Sequence, residues 1–88
     1  MGETPIGTVV HFFNKPMVAV VRIEEGELGL GNAVHIKGRT TDLHHRVDSM
    51  QLGHDPVDTA KVGDLVGIRV SGRVREHDKI FRIEESLP

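Results

Sequence analysis

Twelve valines and six isoleucines stand against three alanines in this chain. Branching at Cβ restricts χ1 in a helix but packs well on a pleated surface, so this bias favours strands over helices. No stretch of ten residues reads as an α-helix, whereas "AVHIK" (Ala33–Lys37) alternates apolar and polar at period two. Ten glycines and four prolines break the apolar runs into short pieces. The chain is therefore expected to be all-β.

Strands are predicted over Ile6–Phe13, Met17–Ile23, Ala33–Lys37, Leu43 to about Leu52, Leu65–Ser71 and Lys79–Ile83, with Asn14-Lys15-Pro16 as the first turn. "PVDTAK" (Pro56–Lys61) is the one plausible helical turn, and "GRVREHD" (Gly72–Asp78) lies between strands without the apolar content of a core segment. Six or seven short strands at this spacing predict a small closed antiparallel barrel, since closure removes exposed edges. Leu, Ile, Val and Phe supply 27 of 88 residues, enough for one core in one domain, residues 1–88, with the core over about 6–83.

Charge and composition exclude several classes. The net charge of −2 means that the whole-chain field does not by itself hold nucleic acid. No apolar run approaches the roughly 20 residues of a membrane helix, so no membrane partner is expected. The leading "MGETPIG" has neither the basic nor the apolar region of a secretory signal, and there is no cysteine. A soluble protein of the cytoplasm is the expectation.

"GELGLGNAVHIKG" (Gly26–Gly38) poses the sharpest choice, between a phosphate-cradling loop and a tight turn feeding a strand. A dinucleotide fingerprint needs a third glycine and a following helix whose N-terminus meets the pyrophosphate. Val34 occupies the third glycine's place, the following residues alternate like a strand, and the Gly-x-x-x-x-Gly-Lys-Ser/Thr loop is absent. The segment reads as a turn, with Gly31 at positive φ, and neither GTP nor another cofactor is expected.

"GTVV" (Gly7–Val10), the Gly26/Gly31/Val34 turn-strand element, "VDSMQ" (Val47–Gln51) and the Gly-Asp-x-Val-Gly element (Gly63, Asp64, Val66, Gly67) fall in the order found in domain II of translational GTPases such as elongation factor Tu. The chain resembles that barrel over roughly Ile6 to Ile83, and stand-alone elongation factor-like proteins. It is also similar to the C-terminal barrel of a peptidase-like family implicated in RNA hydroxylation. The resemblance implies a barrel of the translation-factor domain II type and an association with tRNA, rRNA or the ribosome. It implies no GTPase chemistry, which lies in a separate domain of those relatives. Ser71 stands where the aminoacyl pocket has an arginine, which removes a main ground for aminoacyl recognition.

His44 and His45 are adjacent and point to opposite faces of a strand, so they cannot chelate together. His35 can lie across a hairpin from one of them, but two imidazoles without a third ligand make a poor zinc site, and no metal is expected. No serine sits in a strained elbow, and the chain is read as non-catalytic. Basic residues gather in Lys37–Arg46 and Arg69–Arg82. Arg39, Arg46, Arg69, Arg73 and Arg75 are the candidate RNA contacts, because a guanidinium grips phosphate with two parallel donors. Phe12 and Phe13 must face opposite sides of their strand, so one lies outside near Val18 or Val20. Phe12, Phe13, Val18 and Val20 are the candidate protein-docking residues, for an adaptor that docks on a larger enzyme.

Overall fold

The computed structural model describes residues 2–84; Met1 and residues 85–88, the extremes of the expected 1–88 domain, lie outside the described residues. Every regular element described is a strand: β1 (Gly2–Phe13), β2 (Val18–Ile23), β3 (Glu27–Gly29), β4 (Ala33–Lys37), β5 (Asp42–Arg46), β6 (Met50–Leu52), β7 (Asp55–Pro56), β8 (Thr59–Lys61), β9 (Leu65–Arg69) and β10 (Lys79–Glu84). The protein is all-β. No helix among the described residues is long and apolar enough to cross a membrane.

Eight strands form one sheet in the order β5-β4-β10-β1-β2-β9-β6-β7, and β3 pairs with β8 in a second; every pairing is antiparallel. Ten described strands thus replace the six or seven expected, because β3, β6, β7 and β8 span only two or three residues each. That is too few for an alternating pattern to register. Strands β5 and β7 end the large sheet, and no ladder joins them among the described residues.

The organising element is β1, which shifts register at Pro5/Gly7 against β10 and at Val9/His11 against β2. These irregularities bend the strand so that both neighbours follow it around the core. Gly7 is required there: a Cβ would run into the backbone oxygen of Arg22. Alternate residues point inward, including Ile6 and Val9 of β1, Ala19, Val21 and Ile23 of β2, Val34 and Ile36 of β4, Val66 and Ile68 of β9, and Ile80 of β10. Burying each such Val or Ile contributes about 1.5–3 kcal/mol relative to leaving it exposed.

Two predicted elements differ. "PVDTAK" is not helical: Asp55–Pro56 and Thr59–Lys61 are strands. Val57 donates to Met50 O at 3.0 Å and Leu30 donates to Asp58 O at 3.0 Å, so cross-chain bonds replace the i−4 ladder and Ala60 enters the core. The expected strand Leu43–Leu52 is two strands. Val47 exchanges bonds with the β3–β4 turn (Val47 N to Asn32 O, 2.9 Å; Gly31 N to Val47 O, 2.8 Å), after which β6 pairs with β9 instead.

The glycine segment is a turn, as read: Leu30, Gly31 and Asn32 join β3 to β4, and Gly31 has φ +87°. Asn32 Oδ1 accepts from Gly29 N at 2.8 Å, tightening it. The 70–78 loop carries more of the core than its composition indicated, since Val70 and Val74 are buried. Its far end is tied to the β1 irregularity by Val9 N to Asp78 O and His77 N to Val9 O, both 2.8 Å.

Candidate functional site

The inward row of β2 leaves Val18, Val20 and Arg22 on the outer face. Across β9 their partners are Arg69, Gly67 and Leu65, and Gln51 of β6 faces Gly67 from the other side. With no side chain on Gly67, the middle of this three-strand surface is a trough. It forms a groove of about 560 Å3 lined mainly by Phe13, Pro16, Val18, Val20 and Leu65. A smaller depression of about 280 Å3 shares Pro16, Val18 and Gly67 and ends at Arg69. Phe13 is 48% exposed and Leu65 52%, large values for apolar side chains gathered at one place.

Three of the four predicted docking residues therefore meet. Phe13 is the outward phenylalanine and packs edge-on against His11, with centroids 4.4 Å apart. Phe12 does not line the groove; it turns to the other face of β1 and packs against the core. Pro16 and Leu65 were not anticipated. Leu65 opens the expected strand Leu65–Ser71, and nothing local in the sequence marks an apolar side chain there as outward.

The five arginines are less concentrated. Arg39 lies in the β4–β5 turn, Arg73 and Arg75 in the 70–78 loop, and all three are exposed. Their segments abut, because Gly38 lies against the Asp78 side chain and a Cβ on Gly72 would sit 3.3 Å from Leu43 Cδ1. Arg69 stands apart at the groove's end. Arg46 is at the opposite end of β5 from that turn, about 13 Å along the strand, where it donates to Gly31 O at 2.6 Å. Acids interrupt the loop cluster: Glu76 lies 3.4 Å from His11, and Asp78 accepts from Arg75 N at 2.8 Å.

A second constellation was only half anticipated. Register places His35 opposite His44, and their rings stack with centroids 4.1 Å apart and 12° between planes. Glu3 reaches across from β1, and its two oxygens lie 2.9 and 3.0 Å from His35 Nδ1. Asp42 of β5 approaches the other nitrogen, Nε2, at 2.5 Å. The ring is on the outer face but only 8% exposed, because Glu3, His44 and Phe81 surround it. The Glu3 hydrogen bond, against burial and with help from Asp42, raises His35 above its ordinary pKa of 6.5. The His35 contact in turn lowers Asp42. Glu3 was missed because it lies 32 positions away and because the first strand was expected to begin at Ile6, whereas β1 begins at Gly2. His45 faces the opposite way, and its buried Nε2 has no hydrogen-bond partner among the described residues.

The fold is that of a compact all-β domain. The C-terminal domain of a protein described as a U32 peptidase from Geobacillus thermoleovorans matches with a TM-score of 0.84, covering 93% of each chain at 14% identity, a likeness of fold. In sequence the chain is 36% identical over 83 residues to a Methanocaldococcus jannaschii protein described as an uncharacterized protease, covering 93% of this chain and 20% of the relative. It is 30% identical over 76 residues to peptide chain release factor 3 of Lacticaseibacillus casei, covering 84% of this chain and 14% of that protein. No family model matches. The chain thus spans about a fifth or less of the length of these curated relatives. The likeness to a protease spans more of the chain, at higher identity, than the likeness to a translation factor.

Proposed function

We propose that this chain is a non-catalytic docking domain that seats against a larger enzyme of the peptidase type through the β2–β9–β6 groove. The observation that carries the reading is the groove itself, where Phe13, Pro16, Val18, Val20 and Leu65 expose apolar surface beside a glycine trough. Exposed apolar patches of this kind mark protein contacts, and a few central apolar anchors carry most of the energy of such contacts. The proportions of the protease-named relative support it, since four fifths of that protein lies outside the matching segment. The same reading takes residues 6–83 as one unit whose sheet curls into a barrel. Its support is that buried side chains from β1 through β10 form a single cluster.

An RNA-associated role draws on Arg39, Arg73 and Arg75 at the loop end and on the release-factor likeness. It is the competing outcome of one test. The Methanocaldococcus relative, shortened by the segment that this chain matches, is titrated with the chain in a calorimeter, and a parallel titration uses tRNA. The docking reading expects a complex with the shortened protein, weakened at least tenfold by Leu65→Glu with Val20→Glu and unaffected by Arg73→Glu with Arg75→Glu. Salt-dependent tRNA binding lost in the arginine pair, with no protein complex, would replace it.

A further inference from the structure

We propose that Glu3, His35 and His44 form a site for a divalent transition ion of the zinc type, with Asp42 as its positioning residue. Three strands bring the donors together, and one ligand atom from each lies within 4.8 Å of the other two. Tetrahedral zinc, with bonds of about 2.0–2.2 Å, holds its ligand atoms about 3.3–3.5 Å apart. The adjustment needed is small: Glu3, now 2.9 Å from His35 Nδ1, moves slightly outward and His44 closes in, and both are exposed.

The contact between Asp42 and His35 points independently to a ligand. Metal-binding histidines characteristically donate their second ring nitrogen to a carboxylate, which fixes the tautomer and aims the other lone pair at the ion. Asp42 stands at 2.5 Å from Nε2 and keeps the proton there, so that once the Nδ1 proton now shared with Glu3 is lost, His35 presents its Nδ1 lone pair to Glu3 and the open side. The buried ring is a fixed anchor, and the exposed Glu3 and His44 leave a path of entry.

Binding requires one rearrangement. Parallel stacked rings aim their lone pairs side by side, so His44 must rotate about its side-chain torsions to share an ion with His35. The stack with His35 is given up, and the rotation is otherwise open because His44 is exposed on the edge strand β5. The Nδ1 proton leaves to solvent, and a water completes the fourth position. Two imidazoles and one carboxylate suit zinc, cobalt or copper and disfavour calcium and magnesium, which prefer all-oxygen shells.

The test is calorimetry of the tag-free, EDTA-stripped chain with zinc chloride, followed by cobalt(II) absorption. One ion per chain is expected, with a visible cobalt band of tetrahedral intensity. His44→Ala and Glu3→Gln should each weaken binding at least tenfold. Asp42→Asn should weaken it about 10- to 100-fold and shift the cobalt band. His45→Ala, on the opposite face, should leave affinity unchanged. No saturable binding up to about 1 mM zinc, roughly −4 kcal/mol, or equal affinity in wild type and His44→Ala, would overturn the site.

Discussion

The groove on β2 and β9 and the His35 cluster on β4 and β5 occupy outer faces of one sheet, yet they are built in opposite ways. The groove exists because side chains are missing or apolar: Gly67 contributes nothing, and Val18, Val20 and Leu65 offer no hydrogen bonds. The cluster exists because polar groups from β1, β4 and β5 converge and satisfy one another. Beneath both lies the same core, to which Ile68 of β9 and Ile36 of β4 contribute equally buried side chains. The lesson is that the inner face sets stability, while the outer face is free to carry different chemistry from one region of the sheet to the next.

The largest expected effect tests the shared core. Ile36→Ala and Ile68→Ala should each cost about 2–5 kcal/mol in denaturant unfolding, since each leaves a cavity. A cost confined to one of them would split the core into two independent halves. Next comes Gly31→Val, expected to cost about 1–3 kcal/mol because a β-branched residue is strained at φ +87°. It should lower the melting temperature without altering docking or zinc affinity, as Gly31 belongs to neither surface.

Gly67→Val addresses the groove alone. Its Cβ would lie 3.2 Å from Val18 Cγ1, so Val18 must give slightly and the trough fills. Affinity for the shortened protease relative should fall at least tenfold, about 1.4 kcal/mol, with zinc binding unchanged.

The smallest effect belongs to the polar end of the β1–β10 ladder. Glu84 is held below its ordinary pKa of 4.5, first by its hydrogen bond from Arg82 and then by that from Thr4. Its contribution is present above that value and is lost as pH falls through the lowered one. Glu84→Gln should therefore lower the neutral plateau of a melting-temperature profile slightly and leave its acid end unmoved, so that the limb between them flattens.

Much of the fold was legible because its signals are local. The period-two pattern of Ala33–Lys37 and the glycine turn before it both appear in the structure as strand and turn. That His35 faces one of His44 and His45 followed from placing one hairpin, and the register makes it His44. What was not legible depends on contacts distant in sequence. The β3–β8 pairing joins segments some thirty positions apart through three residue pairs. Val74 lies in a loop of charged residues yet enters the core, because the loop's ends are fixed by β1 and β9. Glu3 becomes a partner of His35 only once β1, β10 and β4 are neighbours. The orientations of Phe12 and Phe13 were open because adjacency fixes that they differ, and only burial fixes which one is inside.

The most direct test of the docking account is a backbone amide NMR spectrum of the labelled chain, titrated with the shortened Methanocaldococcus relative. Docking through the groove predicts that the largest shift changes fall on Phe13, Val18, Val20, Gln51, Leu65 and Gly67, with the Arg39, Arg73 and Arg75 amides little moved. Changes centred on those arginines, or a spectrum left unaltered at saturating partner, would contradict it.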